Sequence, residues 1–138
     1  ETYLVSAIDE VAEILTYPSM TSVPSAQSWI RGVANVRGIL LPIMDFTGVI
    51  DGKASKLDRK SRVLVIQQEE MSTGLVVDEV FGLRHFFDEE KVNDVPAVSE
   101  SLGKYLKGAY RQGERHWGVL SMRNLAKSEE FKNVAARN

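Results

Sequence analysis

The sequence predicts a mainly β protein made of two similar small β-barrels, each about half of the chain, followed by a short helix. Short runs rich in β-branched residues are separated by turn residues, which is the pattern of strands. Glycine and proline recur along the 138 residues, which favours strongly bent sheets. No alternation of strands and helices supports a parallel α/β fold.

The first half is predicted to hold four strands and two connections. The connections are a loop with two prolines, 17–29, and a polar connector, 45–61. Arg37 and Gly38 lie between two apolar runs and predict a tight turn, with Gly38 at positive φ. We place the strands at Tyr3–Val5, 11–17, Ile30–Val36 and 39–43.

The second half is predicted to repeat this plan. A long loop, 86–103, would divide its strands, and Gly113 would form the turn of a second hairpin. Good helix formers at the end of the chain predict a helix at 122–136. The strands are placed at 62–67, 73–83, 105–111 and 116–122.

The chain also resembles itself. "IDEVAEI" from Ile8 is similar to "VDEVFGL" from Val77, and the segment from Ile30 is similar to the one from Leu106. Because both matches occur in the same order, we predict a duplicated unit. We therefore expect a single domain, 1–138, with halves at about 1–60 and 61–125 and the helix at 122–136.

Arg37 is where the two halves differ. In our alignment of the halves it lies opposite Gln112, and Glu13 lies opposite Gly82. The fold itself therefore does not require an arginine at this turn. One interpretation of Arg37 is an interface hot spot, for which an arginine among apolar residues is typical. The simpler interpretation is a turn residue that is exposed to solvent. The residues alone leave these two interpretations open.

Composition and motifs argue against several classes of function. The net charge of −2 gives no basic footprint for nucleic acid, and the absence of cysteine excludes thiolate metal sites and cysteine nucleophiles. No phosphate-binding loop, GxGxxG or GxSxG motif occurs, and His85 and His116 are isolated. Asp45 is expected to end a strand by accepting backbone N–H bonds. We therefore expect no enzyme activity, catalytic residue, metal, cofactor or membrane insertion.

The residues around the turn carry a family resemblance. Gly32, Asn35, Arg37, Gly38, Pro42 and Asp45 form the pattern G-x-x-N-x-R-G-x-x-x-P-x-x-D, which resembles the signature of the CheW-like family. The segments "YLVSAIDEVAEIL", "GLVVDEVFGL" and "YLKGAYRQGERHWGVLSMRNL" are similar to other parts of that family. The resemblance covers essentially the whole chain and is greatest to PilI-type members of type IV pilus (twitching) systems.

The resemblance implies two intertwined, five-stranded SH3-like barrels and a non-enzymatic, cytoplasmic adaptor recruited to receptor arrays at the inner membrane. Its implied partners are a CheA-type histidine kinase and the cytoplasmic tip of a methyl-accepting chemoreceptor, with no nucleic acid. The implied coupling surface comprises Val11, Glu13, Gly32, Arg37 and Gly38. An alternative function is a small β-barrel module that binds nucleic acid or oligosaccharide.

Two structural expectations follow. Family members usually have a strand before the equivalent of Tyr3, so we expect the edge of Tyr3–Val5 to be open or to pair with another chain. The expected core comprises Val33, Ile39, Leu41, Ile43, Val63, Val65, Leu75, Val77, Val80 and Val119.

Overall fold

The computed structural model describes residues 2–16, 30–51, 56–68 and 71–128. The described chain is mainly β, with short helices at α1 (Phe46–Asp51), α2 (Glu100–Gly103) and α3 (Met122–Ala126). None of its described helices has the length and apolar character needed to cross a membrane. The strands are β1 (Tyr3–Val5), β2 (Glu13–Thr16), β3 (Ile30–Val36), β4 (Ile39–Asp45), β5 (Arg62–Gln68), β6 (Met71–Val77), β7 (Lys91–Val92), β8 (Leu106–Gln112) and β9 (Arg115–Leu120).

These strands form two sheets. The five-stranded sheet has the order β2-β5-β6-β4-β3, and the four-stranded sheet has the order β1-β9-β8-β7. The predicted fold class is confirmed, because two sheets with few helices are consistent with two small SH3-like barrels and a short helix after the last strand. Neither sheet coincides with one half of the chain, so the halves 1–60 and 61–125 remain a proposal about the repeat unit.

Strand β1 joins a sheet whose other strands come from the end of the chain. It pairs in parallel with β9, with Tyr3 opposite Trp117 and Val5 opposite Val119. Within the described residues β1 is an edge strand anchored by its own chain. Pairing with another chain stays a prediction.

The two long hairpins, β3–β4 and β8–β9, share an irregular register. In the first, Ile30 pairs with Met44 but Gly32 pairs with Ile43. The second has the same shift at the matching place, between the pairs Leu106–Leu120 and Gly108–Val119. A bulge of this kind bends a strand and increases its twist. The shared bulge therefore supports the duplication that the sequence predicts.

The same register corrects one part of our alignment. The residue at the position of Arg37 in the second hairpin is Gly113, whereas the alignment of the halves places Gln112 there. Gln112 pairs with Arg115, so the second turn consists of Gly113 and Glu114. Gly113 has a φ of 62°, which confirms its predicted role in the turn.

The main hydrophobic core lies between the two sheets. It combines Met44, Ile66 and Leu75 of the five-stranded sheet with Leu120 of β9 and Leu125 of α3. A smaller cluster lies within the five-stranded sheet and comprises Ala34, Leu41, Ile43, Val63 and Val76. Because the larger cluster draws on both sheets, neither sheet has a complete core without the other.

The predicted core is partly correct. Leu41, Ile43, Val63 and Leu75 are fully buried. The prediction for Ile39 is wrong, because this side chain is 62% exposed at the start of β4. The other predicted core residues are partly exposed: Val33, Val65, Val77, Val80 and Val119.

Several local elements differ from the predictions. Helix α1 occupies the start of the polar connector, and β7 and α2 lie inside the predicted second loop. Strand β6 ends at Val77, earlier than expected. Helix α3 begins where it was predicted. It ends at Ala126, earlier than predicted, because the Ser128 N–H donates to the Leu125 carbonyl three residues back and does not continue the α-helical pattern. The rest of the predicted helix, from 129, and the loop 17–29 lie outside the described residues.

Candidate functional site

The turn between β3 and β4 places its two residues in left-handed backbone conformations. Arg37 has a φ of 52° and Gly38 a φ of 83°, which is the pattern of a type I′ turn. The side-chain oxygen of Asn35 accepts a hydrogen bond of 2.9 Å from the Gly38 N–H. The predicted positive φ of Gly38 is therefore confirmed, and Asn35 of the sequence pattern stabilises the turn.

Arg37 forms an ion pair with Glu13 through its Nη2 atom. The side chain of Arg37 is 67% exposed and that of Glu13 is 36% exposed. The hydrogen bond from Arg37 to Glu13, together with the charge of this carboxylate, raises the pKa of Arg37.

This ion pair links the two edges of the five-stranded sheet. Glu13 lies on β2, at one edge of the strand order, and Arg37 follows β3, at the other edge. A sheet whose two edge strands meet is closing into a barrel. The pair therefore has a structural position at the seam, and it also fixes the direction of the guanidinium at the surface.

Large apolar side chains are exposed beside this pair. Ile39 and Leu40, which follow the turn, are 62% and 69% exposed. We define the hairpin-tip surface as Glu13, Arg37, Gly38, Ile39 and Leu40. Ile14, the neighbour of Glu13, is also exposed.

The hairpin projects beyond the rest of its sheet. Strand β4 pairs with β6 only from Ile43 onward, so Ile39 and Leu40 have a strand neighbour on β3 alone. The sequence does not reveal this exposure, because the exposure depends on where β4 pairs with β6. The run of apolar residues after Gly38 looks like any buried strand.

Val11 and Gly32 lie apart from the exposed tip. Val11 is partly buried and packs against the main core. Gly32 is buried in β3 with a φ of 148°, at the bulge of the hairpin. The structure therefore brings Glu13, Arg37 and Gly38 together, whereas Val11 and Gly32 support the strands that carry them.

The contacts of Asp45 give this residue a structural role. Its side chain is fully buried, and Oδ2 lies 3.0 Å from Nη2 of Arg31. Its other oxygen accepts a hydrogen bond of 3.0 Å from the backbone N–H of Gly48 in α1. The predicted bond from backbone N–H to this carboxylate is confirmed, and the carboxylate caps a helix.

Another acidic residue has a similar role. The carboxylate of Glu10 accepts hydrogen bonds from the backbone N–H groups of Met122 and Arg123, at 3.3 and 3.2 Å. It therefore caps α3 from a distant part of the chain. Within the described ranges, no three His, Asp or Glu residues are grouped so as to hold a metal ion.

Comparisons with known proteins agree with this architecture. Residues 1–130 match the family model described as the CheW-like domain. Protein PilI of Pseudomonas aeruginosa is 38% identical over 133 residues, which cover 96% of this chain and 74% of that protein. Chemotaxis protein CheW of Rhizobium meliloti is 36% identical over 121 residues, covering 87% of this chain and 77% of the relative.

A solved structure has the same fold. The crystal structure of scaffolding protein TtCheW from Thermoanaerobacter tengcongensis aligns with a TM-score of 0.71 at 20% sequence identity. The alignment covers 91% of this chain and 85% of that chain. From the family match and the identity to these relatives, we conclude that the chain belongs to the CheW-like domain family.

Proposed function

We propose that this protein is a non-enzymatic adaptor that couples chemoreceptors to a CheA-type histidine kinase and thereby regulates type IV pilus twitching motility. Membership of the CheW-like family supports the adaptor role, and the similarity to PilI supports the pilus system. The adaptor would act in the cytoplasm, at receptor arrays on the inner membrane. Its partners would be the kinase regulatory domain and the receptor's cytoplasmic tip.

The hairpin-tip surface is the observation that carries this proposal. It presents a charged guanidinium at a turn that two large apolar side chains follow in sequence, each of them more than half exposed. Arginine next to apolar area is a common composition of an interface hot spot, because its stem packs while its planar head donates several hydrogen bonds. The ion pair with Glu13 holds that head in place before a partner arrives, which lowers the entropy lost on binding.

Gly38, Gly32 and Val11 have different roles in the proposed coupling surface. Gly38 allows the left-handed turn that presents Arg37, and Gly32 forms the bulge that bends β3. Val11 packs against the core and fixes the start of β2, which carries Glu13. We therefore propose contact with a partner through Arg37, Glu13 and Gly38, and an indirect role for Val11 and Gly32.

Titration calorimetry with isolated partners tests the adaptor function. The protein should bind a CheA-type regulatory domain and a receptor-tip fragment, and Leu40→Asp should weaken at least one of these affinities by about tenfold or more. Val95→Asp is the matched control, because Val95 is an exposed apolar residue of the other half of the chain.

The same purified protein distinguishes the adaptor function from the alternative function, a small β-barrel module that binds nucleic acid or oligosaccharide. Labelled single-stranded nucleic acid and oligosaccharides should not bind. Binding to either of them, combined with no binding to kinase or receptor fragments, would replace the adaptor with a barrel module for those ligands.

A further inference from the structure

A second surface with unused binding groups lies on the four-stranded sheet. A shallow cavity of about 630 Å³ is lined by Tyr3, Arg84, Gln112, Glu114, Arg115 and Trp117. It lies on a different sheet from the hairpin turn, so a partner that occupies one surface can leave the other accessible.

Two guanidinium groups face this cavity. The Cζ atom of Arg84 lies 5.2 Å from the centroid of the Trp117 ring, and that of Arg115 lies 6.0 Å from it. Arg115 also lies 4.6 Å from the Tyr3 ring and 5.3 Å from the Phe81 ring. Arg115 therefore packs against three aromatic rings by cation–π contacts, and its N–H groups donate no hydrogen bond within the described residues.

Neither arginine is neutralised within the described part of the chain. The ion pairs found there involve Arg31, Arg37 and Arg111, and neither Arg84 nor Arg115 donates a side-chain hydrogen bond there. Two guanidinium groups near one ring concentrate positive charge locally on a protein whose net charge is −2. Each offers N–H donors that match a carboxylate bidentately.

A buried donor completes the site. Trp117 is only 2% exposed, and its indole N–H meets no acceptor among the described residues. Buried polar groups nearly always have a partner, and the indole N–H of Trp117 is an exception at a residue that lines the cavity. The cavity thus combines two cations with a tryptophan whose indole N–H has no acceptor among the described residues.

From this arrangement we propose that the cavity is a docking site for an acidic peptide segment of a partner protein, whose carboxylates pair with Arg84 and Arg115. The apolar side chains beside the cavity fit a peptide, since Phe81 is 42% exposed and Leu83 is 83% exposed. Glu114 at the rim would repel the concentrated charge of a phosphate group more strongly than a single carboxylate. Arg115 already lies 4.6 Å from the centroid of the Tyr3 ring and 6.0 Å from that of the Trp117 ring, so a nucleotide base would compete with it for these rings.

A displayed library of random peptides gives the first test. Peptides selected on the wild-type protein should be enriched in Asp and Glu, and the enrichment should be lost on Arg84→Gln/Arg115→Gln. The control Arg59→Gln/Arg123→Gln removes the same charge from exposed positions outside the cavity and should keep the enrichment. Selection without acidic enrichment, or enrichment that survives the loss of Arg84 and Arg115, would overturn the proposal.

The indole N–H of Trp117 gives a direct readout. In a Trp29→Phe background the ¹⁵N spectrum has a single indole resonance, because the chain has two tryptophans. A selected acidic peptide should shift this resonance, and the same peptide with Gln and Asn in place of its acids should not. A resonance that stays in place would contradict the site. An equal shift by inorganic phosphate at the same concentration would contradict the choice of a peptide.

Arg115 packs on three rings, so its substitution could disturb the fold. Arg84→Gln alone and Arg115→Lys, which keeps the charge, serve as the second pair of variants. With melting temperature unchanged, Arg84→Gln should weaken peptide binding by about tenfold, and Arg115→Lys should weaken it less. Unchanged peptide affinity in a folded Arg84→Gln variant would also overturn the proposal.

Discussion

At the scale of single residues, Asp45 and Ser121 occupy equivalent positions in the two hairpins and both begin a short helix. Ser121 accepts a hydrogen bond of 3.1 Å from the Asn124 N–H, as Asp45 does from Gly48. Asp45 additionally pairs with Arg31, and both capping residues are buried. The corresponding position of the two hairpins is therefore a helix cap in both, to which the first hairpin adds an ion pair.

Because only Asp45 also forms an ion pair, replacing Asp45 by alanine should lower the free energy of unfolding more than replacing Ser121 by alanine. Asp45→Ala should reduce the free energy of unfolding by about 2–4 kcal/mol, because it removes the cap and leaves the largely buried Arg31 without this carboxylate. Ser121→Ala should cost about 1 kcal/mol, the usual value of a cap alone. Urea denaturation of both variants measures the difference, and equal costs would argue against a stabilising ion pair.

At the scale of elements, the two hairpin turns join their strands in the same register but with different backbone conformations. The first has left-handed φ values at both Arg37 and Gly38. In the second, Gly113 is left-handed and Glu114 is not, which is the pattern of a type II′ turn. The first turn therefore puts a long side chain where the second has glycine. This supports a role for Arg37 beyond the turn itself.

The turn geometry predicts how Gly38 responds to substitution. Gly38→Val should cost about 1–3 kcal/mol in the free energy of unfolding, because a β-branched residue is strained at a φ of 83°. A Cβ added at Gly38 would have no atom of the described residues within 4 Å, so the cost comes from the backbone alone. Gly38→Asn, which tolerates this conformation, should cost clearly less. Equal losses in thermal denaturation would show that φ is not the cause.

Strand β6 contains a glycine that sequence analysis did not single out. A Cβ at Gly74 would lie 2.6 Å from Cδ1 of Ile43 and 2.8 Å from Cγ1 of Val63, inside the smaller core cluster. Gly74→Ala should therefore cost about 1–3 kcal/mol by overpacking. Gly103→Ala, whose nearest contact would be 3.8 Å, is the control and should be close to neutral. A neutral Gly74→Ala would mean that the cluster has more room than its distances indicate.

At the scale of the whole molecule, the shared core couples the two sheets. Leu125 of α3 is 1% exposed and packs in the cluster that also contains Met44 and Leu75 of the five-stranded sheet. Strand β1 likewise ties the start of the chain to β9. The sheets should therefore unfold together.

Leu125→Ala tests this coupling. It should cost about 2–5 kcal/mol, as for other buried leucines. The unfolding transitions followed by far-ultraviolet circular dichroism and by tryptophan fluorescence should stay coincident. Two separated transitions in the wild-type protein or in this variant would indicate that the sheets are independent folding units.

Much of this architecture could be predicted from local patterns. The hairpins, the turn at Gly38 and the start of α3 all leave signals within short segments. The exposure of Ile39 could not be predicted, because it depends on where β4 meets β6. Helix α1 was missed because its sequence contains glycine and threonine, and the cap from Asp45 favours a helix there despite them.

Part of the candidate site could also be predicted from the sequence. Arg37 and Glu13 could be identified from the difference between the halves and from the family resemblance. Their mutual ion pair could not, because it joins the opposite edges of a sheet whose closure no local pattern reveals. That pair gives Arg37 a position at the barrel seam, in addition to its proposed contact with a partner.

A charge exchange at the Arg37–Glu13 pair tests the adaptor account most directly. Calorimetry with the kinase regulatory domain and the receptor-tip fragment would compare the wild type, Arg37→Glu, the exchange Arg37→Glu/Glu13→Arg, and the control Arg59→Glu. Arg37→Glu should lower the affinity for at least one partner by about tenfold or more, with a melting temperature within about 4 °C of the wild type. The exchange should restore the ion pair but not the affinity, and the control should bind normally. Affinities for both partners that are unchanged in Arg37→Glu, or fully restored by the exchange, would contradict the account.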